Sequence, residues 1–356
     1  MAIEWLAGNR LRGTTAERPA LGLPSGSVGG WVELGRTTLG SAGDSIDVTG
    51  LADKRYLMVL IDEQSSGETY GRMRFNDDSG SNYAARYNTN GASETTLTPF
   101  ASCVNYATPT ANDVKFSVNY IANLSGKEKL VITPDSVGSS TAGAGNAPTR
   151  REAVSKWVNT SSVISQVNID NGTTGDFTSG SECVVLGWDP DDTHTSNFWE
   201  ELASVELSSA GDEISSGTIT AKKYLWLQWH TKRAGAEIEN RINFNNDTGS
   251  NYSRRSSVNG ASDATAGNQS RIEAWSSKTS SSYFYNMFII NNSSNEKLCI
   301  AHNSEVTSTG AGNAPARVEF VAKWANTSSQ ITEIDIINNG SGSFDTGSIL
   351  KVWGAD

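Results

Sequence analysis

The sequence predicts an all-β protein: a tandem duplication of one antiparallel β-sandwich, jelly-roll or lectin-like in layout, preceded by an extended N-terminal arm. Three observations predict it. The chain repeats itself at a near-constant offset, its apolar residues alternate with a period of two, and turn residues interrupt the alternation at short intervals.

The repeat is read from several blocks. Trp31-Val-Glu-Leu34 matches Trp199-Glu-Glu-Leu202 at a separation of 168, and Phe75 to Tyr83 matches Phe244 to Tyr252 at 169. Gly143-Ala-Gly-Asn-Ala-Pro148 recurs unchanged as Gly310 to Pro315, and Lys156-Trp157 recurs as Lys323-Trp324, both at 167. Drift of one residue is what loops absorb and paired strands do not. The chain therefore divides into an arm (1–30), a first copy (31–188), a linker (189–198) and a second copy (199–356). The linker is acidic and carries Pro190, and the arm ends in a Gly- and Ser-rich joint.

Within each copy the elements follow in order. Tyr56 to Ile61 is apolar on both faces, as a central strand requires, and its counterpart Tyr224 to Trp229 is nearly so. Val114 to Tyr120 alternates strictly, which marks a strand with one buried face. Leu130 to Ile132 and Leu298 to Ile300 read as short buried strands. Arg150 to Trp157 has one helical pairing, Glu152 with Lys156. Its counterpart places Val318, Phe320, Ala322 and Trp324 on one side of a two-residue period, so a strand is expected. Val163 to Ile169 and Ile331 to Ile336 are rich in β-branched residues and close each copy.

Composition excludes several classes. A net charge of −11 and a pI near 4.9 repel a phosphate backbone, so no nucleic-acid partner is expected. No apolar run approaches the ~18 residues of a membrane span, so no membrane is expected either. Glu4, Asn9, Arg10 and Arg12 interrupt the N-terminal apolar residues, and no signal peptide is read there. Cys103, Cys183 and Cys299 are widely spaced and fall opposite or near aliphatic residues of the other copy, as small core hydrophobes would.

The search for chemistry yields no catalytic residue, no cofactor-binding residue and no metal ligand. Glu33/Glu201, Asp44/Asp212 and Glu128/Glu296 recur in both copies, yet each sits beside a turn or strand end, where a carboxylate caps or is solvated. The loop Asn76 to Asn82 resembles a calcium loop only loosely, because its counterpart loses a carboxylate and neither has a distal Glu. A hairpin turn held by Asn and Asp side chains explains it. His194, His230 and His302 fall opposite Gly26, Asp62 and Pro134, so no histidine recurs. The Gly143 to Pro148 string lacks the Lys-Ser/Thr end of a phosphate loop. Trp226, Trp229 and Trp275 are particular to the second copy, opposite Met58, Ile61 and Tyr106. Core packing is their first reading, and Trp226 and Trp275 are the candidates for stacking on a sugar ring.

The end of each copy is its most specific part. It runs Lys156-Trp157, Asn159-Thr-Ser-Ser162, Ile164, Val167, Ile169, Phe177, Gly180-Ser181 and Gly187, and recurs through Phe344, Gly347-Ser348 and Gly354. This resembles the closing hairpin of β-sandwich virion proteins of tailed phages, many of them marine. Leu186 and Trp353 stand where those proteins usually carry Tyr. The resemblance implies a non-enzymatic virion structural protein, capsid-decorating, fibre or tail-associated. Such a protein would be assembled in the host cytoplasm and would partner itself as a homo-oligomer and other virion proteins. A module recognising a host surface glycan is the alternative. In the arm, Ile3, Trp5, Leu6 and Leu11 with Arg10 and Arg12 are apolar and basic, and are the expected assembly contacts.

Overall fold

The computed structural model describes residues 30–103, 114–138, 142–192, 196–273 and 275–356. The arm residues expected to make assembly contacts lie outside them, as does His194.

The first copy opens with β1 (Val32–Thr38), β2 (Ser45–Thr49), β3 (Tyr56–Gln64) and β4 (Gly71–Phe75). It continues with β5 (Tyr83–Thr89), β6 (Thr95–Phe100), β7 (Val114–Ala122) and β8 (Lys129–Val137). It closes with β9 (Thr149–Trp157), β10 (Gln166–Asn171) and β11 (Glu182–Trp188). A broad sheet runs β1-β11-β3-β7-β8-β9-β5-β6, and a small sheet β2-β10-β4 covers its inner face.

The second copy repeats this as β12 (Glu200–Glu206), β13 (Glu213–Ser215), β14 (Tyr224–Ala234), β15 (Asn240–Phe244), β16 (Tyr252–Val258) and β17 (Ala264–Gln269). It adds β18 (Ile272–Glu273), then β19 (Ser282–Ile290), β20 (Lys297–Val306), β21 (Ala316–Trp324) and β22 (Ile334–Asn338). The short β23 (Ser343–Phe344) and β24 (Ile349–Ala355) finish it. Its broad sheet is β12-β24-β14-β19-β20-β21-β16-β17, faced by β13-β22-β15-β18. The tandem all-β sandwich is thus the fold, with two unequal sheets in each copy. Arg150 to Trp157 is strand, as its alternation requires.

Each sandwich has its own core. Leu57, Val59 and Ile61 of β3 point inward onto Ile46, Val48, Met73, Phe75, Val167 and Ile169 of the small sheet. Cys103 and Cys183 lie in this core and Cys299 in the other, and burial pushes all three thiols up. The strongest sign of common architecture is a Trp–Asp bond made twice. Trp157 Nε1 donates to Asp78 Oδ2 at 2.7 Å, and Trp324 Nε1 donates to Asp247 Oδ2 at 2.7 Å. Tyr83 and Tyr252 stack on these indoles with centroids 6.4 Å apart in both copies.

Two glycines of the closing motif have a steric reason. A bulge between Glu33 and Gly35 turns Leu34 over Gly187, where a Cβ would lie 2.5 Å from Leu34 Cδ1. The bulge between Glu201 and Ala203 does the same with Leu202 over Gly354, at 2.6 Å. A larger residue at either glycine would have to push that leucine side chain aside.

Candidate assembly interface

The outer faces of the two broad sheets meet, so the molecule has four layers, small–broad–broad–small. The alternation of β3 explains why: Leu57, Val59 and Ile61 serve the sandwich core, while Met58 and Leu60 point the other way. With Phe116, Val118, Val184 and Leu186 they form one half of an apolar seam. The other half is Tyr224, Phe288, Ile290, Leu298, Ile300, Val321 and Trp353 of the second copy. Leu186 and Trp353, each just before the last glycine of its copy, therefore both face the seam.

The contact is offset along the strands. The end of the first sheet where β8 leads into β9 lies on the opposite end of the second, where β19 turns into β20. Charges mark the edges of this overlap. Lys223 Nζ lies 3.0 Å from Glu182 and 3.2 Å from Asp62, and Tyr224 Oη donates to Glu182 at 2.7 Å. Burial raises the Asp62 carboxyl despite Lys223 and Asn292. Burial raises Glu182 too, but Thr38, Lys223 and Tyr224 outweigh it and hold it below the usual carboxylate range. At another edge Arg150 pairs with Asp263 at 2.6 Å and Glu319 at 3.2 Å. Burial works against that guanidinium, and the carboxylates more than compensate.

The Gly143 to Pro148 loop crosses onto the second sandwich. Gly143 N donates to Glu296 Oε1 at 2.5 Å, and Asn268 N donates to Ala144 O at 2.7 Å. Ser253 Oγ donates to Asn146 O at 3.0 Å, and Arg255 Nε to Pro148 O at 2.9 Å. Gly267 makes room for it, since a Cβ there would lie 2.6 Å from Gly145 O. The acidic linker is itself engaged: Asp192 meets Lys54 at 2.5 Å and Asp191 meets Arg55 at 2.5 Å. Trp31 and Trp199 both border the seam, Trp199 fully buried and Trp31 half-buried.

The residues considered for chemistry are distributed otherwise. Glu33 pairs with Arg36 at 2.9 Å and Glu201 with Lys351 at 3.0 Å. Glu128 pairs with Lys156 and Glu296 with Lys323, both at 2.8 Å. Asp44 and Asp212 accept from Asn171 at 3.4 Å and Asn338 at 3.0 Å. His230 meets Ser282 Oγ at 2.8 Å, and burial followed by Lys232 lowers it. His302 reaches across the boundary to Glu152 at 3.4 Å. Burial lowers it, but Glu152 prevails and raises it overall. Trp226 stacks on Phe288 at 5.2 Å and donates to Asn286 at 2.7 Å, inside the seam. Trp275 is half-buried against its own core with Lys278 Nζ 5.2 Å from its ring centre. The ring face of Trp226 is therefore taken up by protein and offers no sugar platform.

The Asn76 to Asn82 loop is a structural fastener. Asp78 Oδ1 accepts from Gly80 N at 2.9 Å and Asn82 Nδ2 at 3.0 Å, while Oδ2 holds Trp157. Burial raises Asp78, yet the indole and amide donors win and keep it low. Asn76 and Asp77 adopt φ of 54° and 55°, which Asn and Asp tolerate better than most residues. Among the described residues no cluster of His, Cys, Asp and Glu could hold a metal. A chelator such as EDTA is accordingly expected to leave the melting temperature unchanged, checked by calorimetry with and without it.

One charged group missed by sequence reasoning is buried inside the first sandwich. Lys115 Nζ meets Glu63 at 2.9 Å, and beside them both Asp135 carboxylate oxygens lack a hydrogen-bond donor. Burial pushes Asp135 up to about 6, against the pull of Arg151 and Lys115. As pH rises from ~4, the unfolded chain releases this proton while the folded chain keeps it. Stability therefore falls between pH ~4 and about 6 and levels off above. The second copy has Asn303 at this position. Asp135→Asn is expected to raise stability at pH 7 by on the order of 1–3 kcal/mol and to flatten that window. Urea titrations at pH 4 and pH 7 check both.

No family model and no curated protein matches the chain. Among solved structures, domains LG4-5 of the mouse laminin alpha1 chain align over 92% of this chain and 91% of their own, at 10% identity and TM-score 0.21. An acyl-CoA hydrolase from Agrobacterium tumefaciens aligns over 65% and 79%, at 11% identity and TM-score 0.14. Scores this low define no shared fold, and the architecture rests on the strand pairing itself.

Proposed function

We propose that the chain is a non-enzymatic structural component of a tailed-phage particle, built to present rigid sandwich faces to neighbouring proteins. The observation that carries this is the seam. Two sandwiches that could move independently on a linker are instead fused through an apolar contact edged by buried ion pairs. A chain shaped by substrate turnover needs an accessible constellation of reactive groups, whereas here the repeated polar residues serve turns, bulges and ion pairs. The resemblance of the closing motif to virion proteins supports the same reading.

The test is stoichiometry. Density-gradient-purified particles from the phage that encodes this chain are expected to contain it in a fixed ratio to the major capsid protein. Its absence from washed particles would overturn the reading. Exposed glycan-array binding by the isolated protein, without incorporation into particles, would favour the carbohydrate-recognition alternative instead.

A further inference from the structure

We propose that a second copy of this chain docks head-to-tail on the first, repeating between chains the face-to-face contact that the two sandwiches make within one. The proposal deepens the assembly reading by naming the partner.

The offset of the seam leaves one end of each broad sheet uncovered. Every large exposed apolar side chain among the described residues lies at one of those two ends. Tyr56, Leu124, Leu130, Ile132, Val154 and Val158 are at the free end of the first sandwich, and Phe284 and Val306 at the free end of the second. Five of these eight, Tyr56, Leu130, Ile132, Val154 and Phe284, are the counterparts of seam residues. Leu130, Ile132 and Val154 are 57%, 56% and 49% exposed, while their equivalents Leu298, Ile300 and Val321 are 0%, 2% and 1% exposed within the seam. Phe284 is 46% exposed, while its equivalent Phe116 is 1% exposed and lies 6.3 Å from Tyr224. Tyr56 is the equivalent of Tyr224. The duplicate of the second-copy half thus keeps Tyr56, Leu130, Ile132 and Val154 exposed, and that of the first-copy half keeps Phe284, while Trp226 and Trp353 are already taken up in the seam.

Charge adds no second unfilled duplicate. Arg150 pairs with Asp263 and Glu319 in the seam. Its equivalent Arg317 pairs with Glu319, and the equivalents of the two carboxylates are Glu94, which pairs with Arg86, and Glu152, which meets Arg150 and His302 at the seam.

The contact between chains differs from the seam in two respects. Thr98 and Pro99 replace Gly267 and Asn268, so the exposed Gly310 to Pro315 loop sits further out than its counterpart. Gln228, Asn286 and Lys351 replace Leu60, Val118 and Val184, which makes the contact more polar and hence weaker than the seam. Because the two surfaces are different, the association is heterologous. It continues into a filament, or closes into a ring if the rotation allows.

Sedimentation velocity of the full chain over a wide concentration range tests this. Species larger than a dimer are expected to grow with concentration. Ile132→Asp and Phe284→Asp, both at exposed positions, should each weaken association about tenfold or more. Mixing the two variants should give dimers and nothing larger, since each keeps one intact end. A chain that stays monomeric at all concentrations overturns the proposal. So does loss of association by Ile132→Asp with no effect of Phe284→Asp, which would mean a symmetric dimer through the first sandwich. A monomer found in fixed ratio in particles would reject the self-contact and leave the structural reading intact.

Discussion

Trp324→Ala is expected to destabilise the second sandwich by about 3–5 kcal/mol, the usual cost of truncating a fully buried large aromatic side chain. The indole is 1% exposed, packs between Phe244 and Tyr252, and sits under Lys297 Nζ at 5.7 Å. Its removal also takes away the indole donor that satisfies the Asp247 carboxylate together with Asn251. That carboxylate fastens the turn between β15 and β16, so packing and turn geometry fail together. Trp157→Ala should do the same to the first sandwich through Asp78. Urea unfolding followed by tryptophan fluorescence and circular dichroism checks both. A loss below ~1 kcal/mol would show that the site relaxes around the cavity.

Arg150→Met should cost a comparable amount, about 3–5 kcal/mol, by a different route. The Arg150 and Asp263 side chains are 3% and 1% exposed, so the substitution leaves a buried carboxylate without its cation. Removing both charges, as Arg150→Met with Asp263→Leu, is expected to recover most of the loss, because two buried charges are then replaced by apolar groups. A double-mutant cycle in urea measures the coupling directly. Additive effects would mean that the pair is not coupled in solution.

The sandwiches were legible because their determinants are local and are written twice. The paired blocks ending in Trp157 and Trp324 define the same strands, and Asn159 and Asn326 make the same turns, accepting from Ser161 N and Ser328 N at 2.9 Å and 2.8 Å. Glu128 and Glu296, which the sequence places as solvated or turn-capping carboxylates, are each held by a lysine, and the cysteines lie in the cores as their aliphatic counterparts imply. The seam was less legible. Met58 and Leu60 were read as the second face of a central strand, which is correct, but periodicity does not say what covers that face. Core packing is the first reading of Trp226, and the core it joins is the one between the copies. The signal available was comparative: Gly143 to Pro148 is identical to Gly310 to Pro315 while the faces beneath the two loops differ, as Gly267 and Thr98 do. The Trp–Asp bonds join motifs that lie 77 and 79 residues apart, a separation that no local pattern reports.

The short linker has a consequence for how such a contact is used. Tethered partners meet at an effective concentration in the mM range, whatever the amount of protein in solution. The seam therefore closes within each chain even at high dilution, and each molecule is a finished block before it meets another. A similar but more polar contact between chains has no tether and depends on how crowded the blocks are. Folding and polymerisation are thereby separated by concentration alone: dilute chains remain single, and chains gathered at a nucleating surface join.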